Sequence, residues 1–158
     1  MQEQKNIIRK ELLARRKAIS TPEVINRSQI ICQRVFTEVN WEEVLTVCTY
    51  EASPGLGEID TAPLVSLLAG LPNPPTITIV EAHSKAPFPV GNFDVIIVPV
   101  LGFDETKHRL GQGGGWYDRF LATQPQATTI GLAHAQFKTT FPHEPHDIPL
   151  NSIITERK

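Results

Sequence analysis

Residues 93–121 read FDVIIVPVLGFDETKHRLGQGGGWYDRFL. The apolar run from Asp94 to Val100 (DVIIVPV) predicts a strand covered on both faces, the pattern of a parallel sheet sandwiched between helices. The helical pattern from Trp116 to Ala122 follows it, with four glycines in the five positions 111–115 between the two. Strand, glycine-rich loop and helix in that order are the elements of an α/β unit. The glycines cost backbone entropy, so their density marks a sharp turn or a place where something approaches the backbone closely.

Outward from this stretch the pattern repeats. Residues 4–19 predict an amphipathic helix with Ile8, Leu12 and Ile19 on one stripe and Lys5, Arg9 and Arg16 on a second, which in an ordinary helix would be a solvated face. A capping-box pattern at Ser20-Thr21-Pro22-Glu23 opens a second helix that keeps phase to about Val39. Strands are predicted at Val44–Tyr50, Thr76–Val80, Asp94–Val100, Thr128–Ala133 and around Ser152–Thr155, with a short helix at Pro63–Ala69. The turn-rich loop SPGLGEID and the proline-rich break LPNPP punctuate the first half. Strands alternating with helices predict a three-layer α/β/α domain around a mostly parallel sheet, and 158 residues suit one such domain.

Composition excludes several classes. A net charge of −2 gives no footprint for nucleic acid, although six of the fifteen Lys and Arg residues fall in the first twenty positions. No apolar stretch is long enough to span a bilayer, and no apolar run follows the basic start as a secretory signal would require. A soluble cytoplasmic protein is expected. The Asn26-Arg27-Ser28 sequon therefore has no companion signal of secretion. Cys32 and Cys48 lack CxxC spacing and read as small buried residues. His143 and His146 are close in sequence, but Pro145 interrupts any helix that would bring them to one zinc ion.

A glycine loop after a buried strand and before a helix is suited to oxyanions, because free backbone N–H groups point at whatever sits there. The loop contains no GxxxxGK[ST], and a GxGxxG count from Gly111 meets Trp116 where a small residue belongs, so neither the Walker loop nor the dinucleotide fingerprint applies. Arg109 before the glycines and Asp118 after them add a guanidinium for phosphate oxygens and a carboxylate able to hold Mg2+. Trp116 and Tyr117 add flat aromatic faces; Tyr117 reads equally well as core.

Residues 93–121 resemble the signature of the 5-formyltetrahydrofolate cyclo-ligase family. So do KNIIRKELLARRKAIS at 5–20, GEIDT at 57–61, IGLAHAQF with Gln136 at 130–137, and PHDIPLNSIITE at 145–156, all in family order. The resemblance implies MgATP-dependent closure of 5-formyltetrahydrofolate to 5,10-methenyltetrahydrofolate, through a phosphorylated formyl group, on a three-layer α/β/α fold. Carried over by position, it implies ATP contacts at Lys5 and Arg9 and along the loop Arg109, Leu110, Gly111, Gln112, Gly113, Gly114, Gly115, Trp116 and Tyr117. Within that loop Arg109, the glycines 113–115 and Trp116 would serve the phosphoryl transfer itself. It implies Mg2+ ligands at Asp118 and Asp147, and folate contacts at Glu58, Gln112 and Trp116. The absence of an obvious nucleophile agrees with catalysis by positioning and charge neutralisation.

The chain departs from the family pattern in three ways. Gln112 stands where a basic or aromatic residue is common, and Trp116 where tyrosine is usual. Only EAHSKAPFPVGNF (81–93) joins Val80 to Asp94, where relatives carry a longer segment that walls the folate pocket. The ATP half therefore reads as intact and the folate half as trimmed. Two other readings stay open: a related ATP-dependent enzyme acting on a different formamide or carboxamide, and a nucleotide-binding protein without turnover. A scaffold role leaves the signature unexplained.

Overall fold

A computed structural model describes residues 1–53, 55–83 and 85–158. Pro54 of the SPGLGEID loop and Ser84 of the 81–93 segment lie outside the described residues. Helices α1 (Gln2–Lys17), α2 (Thr21–Glu38), α3 (Ala62–Ala69) and α4 (Trp116–Ala122) alternate with strands β1 (Thr46–Tyr50), β2 (Thr76–Val80), β3 (Val95–Pro99), β4 (Gly102–Phe103), β5 (Arg109–Leu110), β6 (Thr128–Leu132) and β7 (Ser152–Ile154). Five strands form one sheet in the order β2-β1-β3-β6-β7, and every pairing in it is parallel. The expected α/β class, with its mostly parallel sheet, is the observed one.

Alternation along β3 divides the core. Val95 and Ile97 join Ile31, Val35, Leu64 and Leu68 from α2 and α3, whereas Ile96 and Val98 join Trp116, Phe120 and Leu121 from α4. Two helices thus cover one face and α4 the other, which is why β3 has no polar side. The Ser20 hydroxyl accepts from the Glu23 amide at 3.3 Å, as the capping pattern predicts. The sequon lies inside α2, where Ser28 is buried and its hydroxyl accepts from the Asp60 amide. Both cysteines are free and buried; burial pushes the Cys32 thiol up to about 11 and Cys48 to about 12, so they remain protonated and inert. Among the described residues, no helix is long and apolar enough to cross a membrane.

Three features differ from the sequence reading. Between β3 and the glycine loop the chain forms a small antiparallel hairpin, β4–β5, whose two-residue strands are too short to leave a period in the sequence. Leu101 and Leu110 beside it pack with Leu12 of α1 and with Phe137 and Phe141 as a third cluster. The basic stripe of α1 is not a solvated face: Arg9 is half-buried, and Lys5 and Arg16 are 6% and 2% exposed. Finally, strand starts retreat by one or two residues, β1 beginning at Thr46 and β3 at Val95, the residue after Asp94. Asp94 Oδ2 accepts from the Leu45 and Thr46 amides.

Candidate active site

The strand order places β1 and β3 side by side with their following crossovers leaving in opposite directions, to β2 by way of α3 and to β6 by way of α4. In open α/β sheets that reversal opens a crevice beyond the carboxyl ends of the two strands. Here it holds a cavity of about 1150 Å3, lined by Tyr50 at the end of β1 with Glu51–Ser53 after it, Glu81–His83 after β2, Pro99 at the end of β3, the glycine loop, the first turn of α4, and Glu144, His146 and Asp147. Clefts for one small ligand commonly measure about 300–1,000 Å3, so this one has room for two reactants.

All the residues singled out above, from Lys5, Arg9 and Glu58 through 109–118 to Asp147, lie on this one cavity. They come from four separate parts of the chain. The glycine loop is held from below by Arg109, whose Nε and Nη2 both donate to the Pro99 carbonyl, at 3.1 and 3.0 Å. Its guanidinium also lies 5.0 Å from the centre of the Tyr117 ring. Burial pulls Arg109 down from its ordinary value, with Asp118 and Tyr117 opposing, and it stays a cation. Two of its nitrogens thus bond the end of β3. Arg9 holds the loop from above: Nε donates to the Gly111 carbonyl at 2.9 Å and Nη1 to Asn6 Oδ1 at 2.7 Å. Gly113 and Gly115 have φ of +105° and +71°, a region that side chains with Cβ rarely adopt, so the turn requires glycine there.

Lys5 reaches across to Asp147, Nζ to Oδ2 at 2.9 Å, and the Glu144 amide donates to the same oxygen at 2.8 Å. Burial by itself would raise the Asp147 carboxyl; the Glu144 amide and Lys5 outweigh it and hold it below the usual aspartate value. Asp118, half-buried in the first turn of α4, forms no ion pair among the described residues. Two carboxylates on one cavity are hard oxygen donors of the kind Mg2+ takes.

Trp116 and Glu58 define the other wall. Glu58 accepts from the Ser53 amide at 2.7 Å, which folds the loop after β1 back on itself. Trp116 is 4% exposed, its indole Nε1 donating to the Ala86 carbonyl at 3.1 Å and its ring meeting Phe88 edge-on at 5.4 Å. Trp116 thus fastens the 81–93 segment. A tyrosine hydroxyl extends from the opposite end of a smaller ring and carries no such N–H.

Sequence reasoning missed Arg16 as a cavity residue. Its Nε donates to the Leu56 carbonyl at 2.7 Å, while its buried Nη2 and the buried hydroxyl of Tyr117, 5% exposed, have no hydrogen-bond partner among the described residues. Both residues line the cavity. The signal was present in the shared stripe of Lys5, Arg9 and Arg16. Gln136 lies elsewhere, accepting from Arg27 at 2.7 Å. His143 and His146 do not share a site, His146 lining the cavity and His143 facing Asp104.

A model of the 5-formyltetrahydrofolate cyclo-ligase family matches residues 62–156, more than half of the chain. The chain belongs to that family. Over 73 residues it is 42% identical to the 5-formyltetrahydrofolate cyclo-ligase of Escherichia coli K12, a stretch covering 44% of this chain and only 40% of that relative. A cyclo-ligase of Mycoplasma pneumoniae is 28% identical over 164 residues, covering 96% of this chain and 98% of the relative. Among solved structures, a 5,10-methenyltetrahydrofolate synthetase from Mycoplasma pneumoniae superposes with a TM-score of 0.83 at 26% identity, covering 97% of this chain and 99% of that one. The Aquifex aeolicus 5,10-methenyltetrahydrofolate synthetase, at 23% identity and a TM-score of 0.78 over 98% of this chain and 90% of its own, shares the fold.

Proposed function

We propose that this chain is a 5-formyltetrahydrofolate cyclo-ligase that uses ATP to form 5,10-methenyltetrahydrofolate, ADP and phosphate. The observation that carries the reading is the convergence of the glycine loop, Lys5, Arg9 and two carboxylates on one cavity at the sheet's switch point. Lys5, Arg9 and the loop's backbone N–H groups neutralise and orient the phosphates, and Glu58 accepts hydrogen bonds from pterin N–H groups. Asp118 and Asp147 are the groups that would hold Mg2+, whose chemistry is to neutralise charge on the transferred phosphoryl group.

With the substrates so placed, the formyl oxygen attacks the γ-phosphorus as the bond to ADP breaks. The imidoyl phosphate that results has a good leaving group where the formamide oxygen was a poor one. N10 then attacks the formyl carbon and gives up its proton, and phosphate departs with the former formyl oxygen. Nothing in this sequence needs a protein nucleophile; the protein contributes position, charge and exclusion of water.

The test is a spectrophotometric assay of the purified chain with ATP, Mg2+ and 5-formyltetrahydrofolate, following methenyl product and ADP together. Equal amounts of both are expected. ADP formed only with a smaller formamide or carboxamide would favour the second reading, for which the short 81–93 wall speaks. ATP binding without turnover of either would leave a nucleotide-binding protein.

A further inference from the structure

Outside the cavity, the described residues bring Asp104, His108 and His143 together from two distant segments, with one potential ligand atom of each within 4.8 Å of the others. His143 Nε2 donates to Asp104 Oδ2 at 2.5 Å, and the His108 and His143 rings stack with centres 3.8 Å apart. The turn that carries two of the three is built around Asp104. Its Oδ1 accepts from the Thr106 amide, the Thr106 hydroxyl and the His108 amide, at 2.9, 2.7 and 3.2 Å. Lys107 takes a left-handed φ of 65°, which returns His108 toward Asp104.

The hydrogen-bond network also fixes a tautomer. The one proton of the Thr106 hydroxyl goes to Asp104, so the 2.7 Å contact between Thr106 Oγ1 and His108 Nδ1 requires Nδ1 to carry its own proton. His108 Nε2 is then the bare nitrogen. A ligating imidazole whose other N–H is held by an oxygen is the usual arrangement at metal centres.

We propose that Asp104, His108 and His143 form a binding site for one divalent cation of the zinc class, separate from the carboxylate pair of the cavity. Two imidazoles and a carboxylate favour zinc or a neighbouring transition ion over Mg2+. The cation takes the place of the proton now shared by Asp104 and His143, and the stacked rings open by side-chain rotation to turn both nitrogens on it. A second cavity of about 390 Å3, lined by Asp104, Thr106, Phe141 and His143, gives access. A cation here would tie the turn leading into Arg109 and the glycine loop to the tail leading into Asp147, without entering the reaction.

The experiment is calorimetric titration of chelator-treated full-length protein with Zn2+, repeated for His108→Gln, His143→Gln and Asp118→Asn, with Co2+ absorption as a second readout. Glutamine keeps a hydrogen-bonding group at each position, and circular dichroism establishes that the variants fold. One equivalent is expected to bind the unaltered chain and Asp118→Asn alike. Each histidine variant should lose at least about tenfold in affinity, together with the cobalt band. Absence of zinc binding by the unaltered protein, equal affinity in the histidine variants, or loss of binding in Asp118→Asn would each overturn the proposal.

Discussion

Replacing Trp116 with phenylalanine tests whether one indole holds the short segment against the rest of the site. Two contributions are lost. The Nε1 hydrogen bond to Ala86 is 3.1 Å long, and the Ala86 carbonyl belongs to a half-buried residue that water can reach once the indole is gone. Its removal should therefore cost about 1 kcal/mol and not the larger penalty of a sealed orphan. The smaller ring forfeits apolar contact with Phe88, Tyr117 and Phe120, whose ring centres lie 5.4, 5.0 and 5.0 Å away. An area on the order of 40 Å2 corresponds to about 1 kcal/mol more. Together they give about 2 kcal/mol, which for a chain of this size lowers the melting temperature by about 4–8 °C. Thermal unfolding followed by circular dichroism measures this, and limited proteolysis should show new cleavage within 81–93. The Michaelis constant for folate should rise more than that for ATP. A melting temperature within about 1 °C of the unaltered protein, with unchanged proteolysis, would refute the fastening role.

Asp118→Asn is expected to lower kcat by about a hundredfold or more, since one charged donor for Mg2+ is lost beside the transferred phosphoryl group; a rate within a few-fold of normal would remove Asp118 from that role. Arg9→Ala should raise the Michaelis constant for ATP by about tenfold, the scale of one charged hydrogen bond, and leave that for folate little changed. Lys5→Met should cost about 2 kcal/mol at neutral pH, because Asp147 keeps the Glu144 amide but loses its cation. Asp147 titrates below the ordinary aspartate value in the folded chain, so its stabilisation is complete above that value and lost as pH falls through the folded one. The stability gap between Lys5→Met and the unaltered protein should accordingly close in acid, and urea titrations at neutral pH and below about pH 4 would show it.

How far the sequence could be read follows from what each feature depends on. The unbroken apolar run of β3 and the glycines after it depend on local chemistry; the first predicted the layer order, and the second marked the loop that lines the cavity. The β4–β5 hairpin was invisible because two-residue strands have no period, and its partners are chosen by the packing of Leu12, Leu110 and Phe137. The burial of Arg16 was invisible for a related reason. A basic residue on a helix normally faces water, and only the loop at Leu56, distant in sequence, supplies the carbonyl that lets it turn inward. Trp116 reads as a conservative replacement in sequence, while its N–H gains a meaning only when Ala86 is opposite it.

These dependencies bear on the shortened wall. On the proposed reading, the half that would face phosphate is anchored by Arg109 on Pro99, Arg9 on Gly111 and Lys5 on Asp147, none of which involves residues 81–93. The opposite wall is tied to that half through Trp116 and Phe88. Shortening the segment can therefore change the folate surface while the nucleotide cradle keeps its shape, and the two affinities should separate. Calorimetry on the unaltered chain is expected to give ATP binding of ordinary strength with folate binding weaker than it. Trp116→Phe should widen that gap by weakening folate more than ATP. If ATP binds more weakly than folate, or if the variant weakens both equally, the halves are not independently anchored, and the trimmed segment supports the whole site.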